Sequence, residues 1–284
     1  MTIQNPVEWS AHHLSLTAHA LRSASHAFRQ TDADAVPLTI RRITLADLKD
    51  VLMRGLRDFG TYRTDVLFIF LVFPLVGLVL AQLTLNAGAL HLVFPLVSGF
   101  ALLGPFAAAG VYEMSRRQEQ GKPVSWIDAF GVFASPSIAA IIVLGLILTG
   151  VFLLWLAAAA LIYRVTLGPA MPVSIAAFAS DVFTTGAGWA MIVAGIAVGF
   201  LFALVVLAIS VVSFPLLLDR PVPISTAVRT SVRAVIANPV PMLTWGLIVA
   251  AGLVLGTIPV LVGLIVVMPV LGHATWHLYR KVVG

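Results

Sequence analysis

Long apolar runs alternate with short polar segments over most of this chain. Each run approaches or exceeds the roughly 20 residues that a helix needs to cross a bilayer core about 30 Å thick. The runs are Val66–Leu83, Leu92–Tyr112, Ile138–Tyr163, Trp189–Leu218, Val240–Gly256 and Val260–Leu278. The pattern therefore predicts an all-α membrane protein with six transmembrane helices.

Cations are distributed unequally between the connecting segments. Of the 17 Lys and Arg residues, 16 precede the first run or follow the second, fourth or sixth run, and Arg164 is the exception. Short cytoplasmic loops are enriched in Lys and Arg. Both termini are therefore predicted to be cytoplasmic.

Each predicted hairpin is preceded, on the predicted cytoplasmic side, by a segment of mixed polarity: Thr44–Phe59, Ser125–Ala134 and Pro223–Asn238. In the first segment, apolar residues recur at spacings of three and four, as on one face of a helix. These residues are Leu45, Leu48, Leu52, Leu56 and Phe59. All three segments are predicted to be amphipathic helices in the membrane interface.

The second and third of these segments share a local motif. Lys122-Pro123-Val124 precedes one, and Arg220-Pro221-Val222 precedes the other. The pattern indicates a helix-plus-hairpin unit repeated three times within residues 40–284. Residues 1–39 are predicted to form a polar, partly disordered N-terminal tail.

Composition narrows the functional classes. Hydrophobic residues make up 60% of the chain, its pI is about 10.1, and it contains no cysteine. The basic balance is explained by orientation in the membrane and by contact with anionic lipid headgroups, so no nucleic-acid partner is expected. The lack of cysteine excludes disulfides, thiolate catalysis and cysteine-based metal sites.

The apolar runs hold no Asp, Glu, Lys or Arg between their ends. Pumps and ion-coupled transporters place ionisable groups at depth, so this argues against both classes. Passage of a neutral solute stays open. No nucleotide-binding, metalloprotease or hydrolase motif occurs, so neither catalytic residues nor a cofactor is predicted, and the protein is not expected to be an enzyme.

His273 and His277 are the one pair with ligand-like spacing. Residues four apart lie on the same helix face, as metal or haem ligation would require. However, Trp276 and Tyr279 lie beside them near the predicted cytoplasmic end of the last run. An aromatic belt with interfacial histidines is the preferred interpretation, and the pair stays a weak metal-site candidate.

Two segments carry a family resemblance: GPFAAAGVYEMSRR (Gly104–Arg117) and PVLGHATWHLYRK (Pro269–Lys281). From about Ile40 onward the chain resembles a bacterial integral-membrane family of unknown function, whose members are sometimes labelled cytochrome c oxidase subunit I. A haem–copper catalytic subunit needs six His ligands in its helices. The predicted spans offer only His273 and His277, and His91 directly precedes the second predicted span. The resemblance implies a bacterial inner-membrane location and, at most, association with a respiratory complex.

Two functions therefore remain open. The preferred one is a non-catalytic accessory, assembly or scaffold component, and the alternative is a transporter or channel for a small neutral solute or lipid. Contact with lipid headgroups or a partner subunit is predicted at the cytoplasmic rim, where cations accompany an exposed tryptophan. The rim residues are Arg116, Arg117, Trp126, Arg220, Arg229 and Arg233.

Overall fold

The computed structural model describes residues 38–86, 88–169, 172 and 174–284, and their side chains outside 62–70, 73 and 100. The predicted tail therefore lies, except for its last two residues, outside the described part. Helices dominate that part, and an isolated antiparallel bridge joins Ile40 to Val283. The α-helices are α1 (Leu45–Phe70), α2 (Val72–Asn86), α3 (Val93–Phe100), α4 (Gly104–Ala107), α5 (Ala109–Glu119), α6 (Ile138–Thr166), α7 (Ile175–Thr184), α8 (Gly186–Ser210), α9 (Ser213–Asp219), α10 (Ile224–Ala237), α11 (Pro239–Thr257) and α12 (Leu264–Val282). Short 3₁₀ helices lie at Leu90–Leu92, Ala101–Leu103 and Trp126–Ala134.

Within the described residues, four helical segments are long and apolar enough to cross a membrane: Leu90–Glu119, Ile138–Thr166, Gly186–Asp219 and Pro239–Thr257. They coincide with the second to fifth predicted spans. Their side chains are mostly exposed, as expected of surfaces that contact lipid instead of protein.

The first and last predicted spans differ from these four. The apolar part of the first is the shorter helix Pro74–Asn86. In the last, α12, two histidines, an arginine and a lysine lie in the second half and lower its mean hydropathy. Six crossings therefore stay a prediction, and four helices meet the length and hydropathy that a crossing requires.

The segments that precede the predicted hairpins pack in a cyclic order. The 3₁₀ helix Trp126–Ala134 packs on α5, α10 packs on α8 and α9, and α1 packs along α12. Each thus contacts the end of the hairpin before it in the chain, and the first contacts the end of the last hairpin. At the centre, α5, α9 and α12 contact one another.

Helix α1 buries a face that its apolar stripe only partly predicts. Leu48 and Val51 are buried toward the core, as is Gly55, whereas Leu45 and Leu56 of the predicted stripe are half exposed. A Cβ added at Gly55 would lie 2.7 Å from the carbonyl oxygen of Val270 on α12. The buried face is shifted toward small residues because the two helices approach closely there.

Helix α10 shows the same shift. Its buried residues include Ala227, Ser231 and Ala234, while the cations Arg229 and Arg233 lie on the exposed side, as predicted. The Ser231 hydroxyl accepts a hydrogen bond from the Val212 backbone N–H, 3.2 Å away, in the bend between α8 and α9. This contact ties α10 to a point where the long helix is interrupted.

Candidate functional site

The most concentrated polar chemistry in the described residues lies where α5, α9 and α12 meet. Each helix contributes one charged residue near its end: Glu119, Asp219 and Arg280, respectively. The Arg280 Nε atom is 3.0 Å from Glu119 Oε1, and its Nη1 atom is 3.2 Å from Asp219 Oδ2. This three-helix ion cluster joins one residue from each predicted hairpin.

Two buried aromatic residues complete the cluster. The Trp276 indole N–H donates to Glu119 Oε2 at 3.1 Å, and the Tyr279 hydroxyl donates to Asp219 Oδ2 at 2.6 Å. Trp276 is 0% exposed and Tyr279 1% exposed. Burial, together with the hydrogen bond to Asp219, raises the pKa of Tyr279 above its usual value.

The predicted aromatic belt is therefore wrong for Trp276 and Tyr279. A belt residue keeps its ring in the lipid interface, whereas these rings lie inside the protein. The physical reason is that both have carboxylate partners on neighbouring helices, which lets their polar atoms be buried.

His277 likewise has a protein partner instead of an interfacial position. Its Nε2 atom lies 2.7 Å from Asp58 Oδ2 of α1, and Asp58 is only 8% exposed. The Gln118 side chain donates to the second carboxylate oxygen of Asp58 at 3.3 Å. Helices α1, α5 and α12 are thereby joined by one buried carboxylate.

His273 lies one turn earlier on α12 and is fully buried. Its Nδ1 atom is 2.7 Å from the Ser115 hydroxyl of α5. Its Nε2 atom is buried and has no hydrogen-bond partner, and neither has the Gln118 side-chain oxygen. We call Asp58, Ser115, Gln118, His273 and His277 the histidine cluster.

In the described residues, the side chains of the histidine cluster are not grouped around one ion position. Among the residues that the structure describes, no three His, Cys, Asp or Glu side chains are grouped as ion ligands. The two histidines instead bind to different protein partners, Ser115 and Asp58. The arrangement holds α1, α5 and α12 together through two sets of hydrogen bonds.

The predicted rim has two arms. In the first, Arg116 and Arg117 both donate to Glu113, which is 2% exposed, and Arg117 also donates to Asp128. These arginines are therefore half-buried connectors, and their charges are already paired with carboxylates.

Trp126 lies on the outer face of the same arm, in a short 3₁₀ helix. The Ser125 and Asp128 side chains form a capping box at the start of this helix. Trp126 is 41% exposed, and its ring meets Phe130 edge-on with centroids 6.2 Å apart. Ile127 and Phe133 are also exposed. We call these four side chains the aromatic wedge.

The second arm lies on a different unit. Arg220 follows α9, with its Nε atom 3.5 Å from Asp219, and Arg229 and Arg233 are exposed on α10. Because α10 packs on α8 and α9 while the aromatic wedge packs on α5, the rim cations are carried by two separate supports.

The partners in these clusters are what sequence reasoning missed. His273 and His277 are noticeable because they share a helix face, but Asp58 is 219 residues from His277, and Ser115 is 158 residues from His273. The sequence does contain one weak signal for this arrangement: the ends of the second and sixth predicted spans align, so that Arg116-Arg117 corresponds to Arg280-Lys281.

Comparison with known proteins agrees with the membrane assignment. Residues 93–219 match the family model described as "Predicted integral membrane protein (DUF2189)", which spans the second to fourth predicted membrane helices. No curated protein and no solved structure matches the chain. The protein is an integral membrane protein similar to a membrane family of unknown function, and the match does not carry the cytochrome c oxidase label.

Proposed function

We propose that this integral membrane protein is a non-catalytic accessory, assembly or scaffold component of the bacterial inner membrane. In this proposal it associates with a respiratory complex and with anionic lipid through its cytoplasmic rim. The aromatic wedge is the observation that supports the proposal most directly.

The wedge presents large apolar side chains outward from a polar support. Ile127 is 61% exposed, Phe130 50% and Phe133 65%. A segment of nine residues that exposes this much apolar surface is typical of an interaction surface or of membrane insertion. Tryptophan and phenylalanine are also the side chains that anchor interfaces most often or lie at the headgroup level.

The support beneath the wedge is fixed by charge. Arg117 links Asp128, at the start of the wedge helix, to Glu113 on α5. On its inner side, Ala129 lies against Gly110, where an added Cβ would come within 3.1 Å. A wedge held this closely to α5 loses little conformational entropy on binding, which favours a stable contact.

Gentle-detergent purification of the Trp126→Ala variant tests the proposal. We expect co-purifying respiratory-complex subunits to fall several-fold, because a buried aromatic anchor contributes roughly 2 kcal/mol or more to an interface. Trp189→Ala is the matched control, since Trp189 is 55% exposed at the start of α8, outside the rim.

A second variant separates lipid from protein contact. The double change Arg229→Gln and Arg233→Gln removes two exposed charges of α10 without breaking the Arg116 and Arg117 pairs. Lipid contact predicts a graded, salt-sensitive loss of bound anionic lipid. If Trp126→Ala and this double variant both leave co-purifying proteins and lipids unchanged, the rim is not the functional surface.

The alternative function, passage of a small neutral solute or lipid, is favoured by one observation. The helical segment Leu90–Glu119 is interrupted by a 3₁₀ turn at Ala101–Leu103, and interrupted membrane helices are common at transport sites. Flux of glycerol or of a labelled phospholipid through proteoliposomes would support this alternative. We expect no flux above that of protein-free vesicles.

A further inference from the structure

A groove between α1 and α11 combines an apolar floor with a lysine that none of the described carboxylates pairs with. It has a volume of about 340 Å³, and its lining includes Leu48, Leu52, Ile248 and Lys49. This volume is at the lower end of the about 300 to 1,000 Å³ usual for small-molecule sites.

The groove lies along a helix with the length and hydropathy of a membrane span. Its α11 wall, Thr244 and Ile248, belongs to the candidate span Pro239–Thr257, and the neighbouring Leu247 is 69% exposed. Apolar side chains on the outer surface of such a helix face the bilayer. Lipid acyl chains can therefore reach this groove.

The positive charge of Lys49 at the groove favours an anionic ligand. Lys49 is exposed, and none of the described carboxylates pairs with it. The two acidic residues closest to it in sequence, Asp47 and Asp50, are bound instead by Lys281, at 2.7 and 3.0 Å. An uncompensated ammonium beside an apolar groove complements a molecule with one anionic end and one hydrocarbon end.

We propose that this groove binds one anionic phospholipid, with an acyl chain along Leu48 and Ile248 and the phosphate at the Lys49 ammonium. The site is separate from the aromatic wedge and does not depend on the proposed accessory role. Met53, 46% exposed at the groove, leaves it open on the outer side.

Native mass spectrometry of the full chain, titrated with phosphatidylglycerol and with phosphatidylcholine, tests the site. We expect one phosphatidylglycerol to bind more tightly than phosphatidylcholine, and Lys49→Gln to weaken that binding about fivefold, as expected for one lysine at an anionic lipid. Met53→Trp, which fills the groove, should weaken the binding of both lipids.

Lys122→Gln is the matched control, because Lys122 is an exposed lysine in the turn after α5, where its backbone N–H donates to the Arg117 carbonyl oxygen, and it does not line the groove. Equal weakening by Lys49→Gln and Lys122→Gln would show nonspecific attraction and overturn the site. Equal affinity for the two lipids would overturn it as well.

A photoreactive residue in place of Met53 identifies the occupant in the full chain. In vesicles of phosphatidylcholine with phosphatidylglycerol, we expect adducts of phosphatidylglycerol mass that decline in the Lys49→Gln background. Cross-links to peptides from residues 1–37, or to a second copy of the chain, would show that protein covers the groove and would refute the lipid site.

Discussion

At the residue scale, hydrogen bonds from buried aromatic side chains join the helix ends. The Tyr279 hydroxyl is within 2.6 Å of Asp219, and Arg280 binds the same carboxylate. Two donors on one carboxylate link the end of α9 to α12. Single-atom changes in these donors therefore test how strongly the helices are coupled.

Tyr279→Phe removes the hydroxyl donor and keeps the buried ring. We expect the free energy of unfolding to fall by about 1 to 3 kcal/mol, because Asp219 loses a charge-assisted hydrogen bond. Unfolding of the purified protein in mixed micelles measures the change. The double variant with Asp219→Asn should be less destabilised than the sum of the two single variants, and strict additivity would argue against direct coupling.

We expect part of the protein's stability to be lost in acid at the ion pairs that Lys281 forms with Asp47 and Asp50. The hydrogen bond from Lys281 lowers the pKa of Asp47 from its ordinary 3.8 to about 2. A lowered carboxyl pKa stabilises the native state above the ordinary value, and this stabilisation is lost as the pH falls toward 2. We therefore expect the melting temperature to fall between about pH 5 and pH 2.

In Lys281→Met, the part of that decline due to Asp47 and Asp50 should disappear. Lys122→Met is the control, since it removes an exposed lysine elsewhere and should leave the acid profile unchanged. Identical acid profiles for the two variants would show that the ion pairs of Lys281 do not contribute to the decline.

At the element scale, Gly55 lets α1 and α12 approach each other closely. Gly55→Ala would place a Cβ 2.7 Å from Ala274 Cβ and from the Val270 carbonyl oxygen. Overpacking of this kind costs about 1 to 3 kcal/mol. We expect a lower melting temperature and weaker retention of α1 against limited proteolysis.

Gly60→Ala is the matched control on the same helix. Apart from the backbone of its own helix and its chain neighbours, no atom of the described residues lies within 4 Å of a Cβ added at Gly60. Alanine favours the helix over glycine by roughly 0.5 to 1 kcal/mol. This variant should be neutral or slightly more stable. Equal stability of the two glycine variants would contradict a close approach of α1 to α12 at Gly55.

The hydrophobic pattern predicted the elements better than it predicted their surroundings. The second to fifth spans follow from run length, because the apolar side chains of those helices are mostly exposed, as expected where lipid covers them. Run length is a poorer guide for α12, because α1 and α5, and not lipid, cover its second half. Periodicity likewise identified the helix in α1 but not its buried face, which the close approach at Gly55 determines.

At the scale of the whole molecule, orientation is the open structural prediction. Reporter fusions after Asn86, Pro172 and Ile258 should score as external, and fusions after Gln120 and Pro221 as cytoplasmic, because the cations follow the even-numbered spans. Alkaline phosphatase activity against green fluorescence measures each position. A cytoplasmic score at Pro172 would contradict the six-span topology.

The site clusters could not have been predicted at this scale from one sequence. Cyclic packing brings α1 against α12 and so places Asp58 beside His277. No local pattern encodes that proximity, because Asp58 and His277 lie 219 residues apart on different helices. The alignment of span ends gave the only long-range signal.

The cyclic order also constrains biogenesis. Helix α1 packs along α12, where His277 lies 219 residues after its partner Asp58, and the Arg41 amide donates to the Val282 carbonyl oxygen at 2.8 Å. During synthesis, the side of α1 that faces α12 therefore stays uncovered until α12 has left the ribosome. We expect a nascent chain arrested before Leu264 to be degraded faster than a chain that includes α12, because the side of α1 that faces α12 is exposed in it.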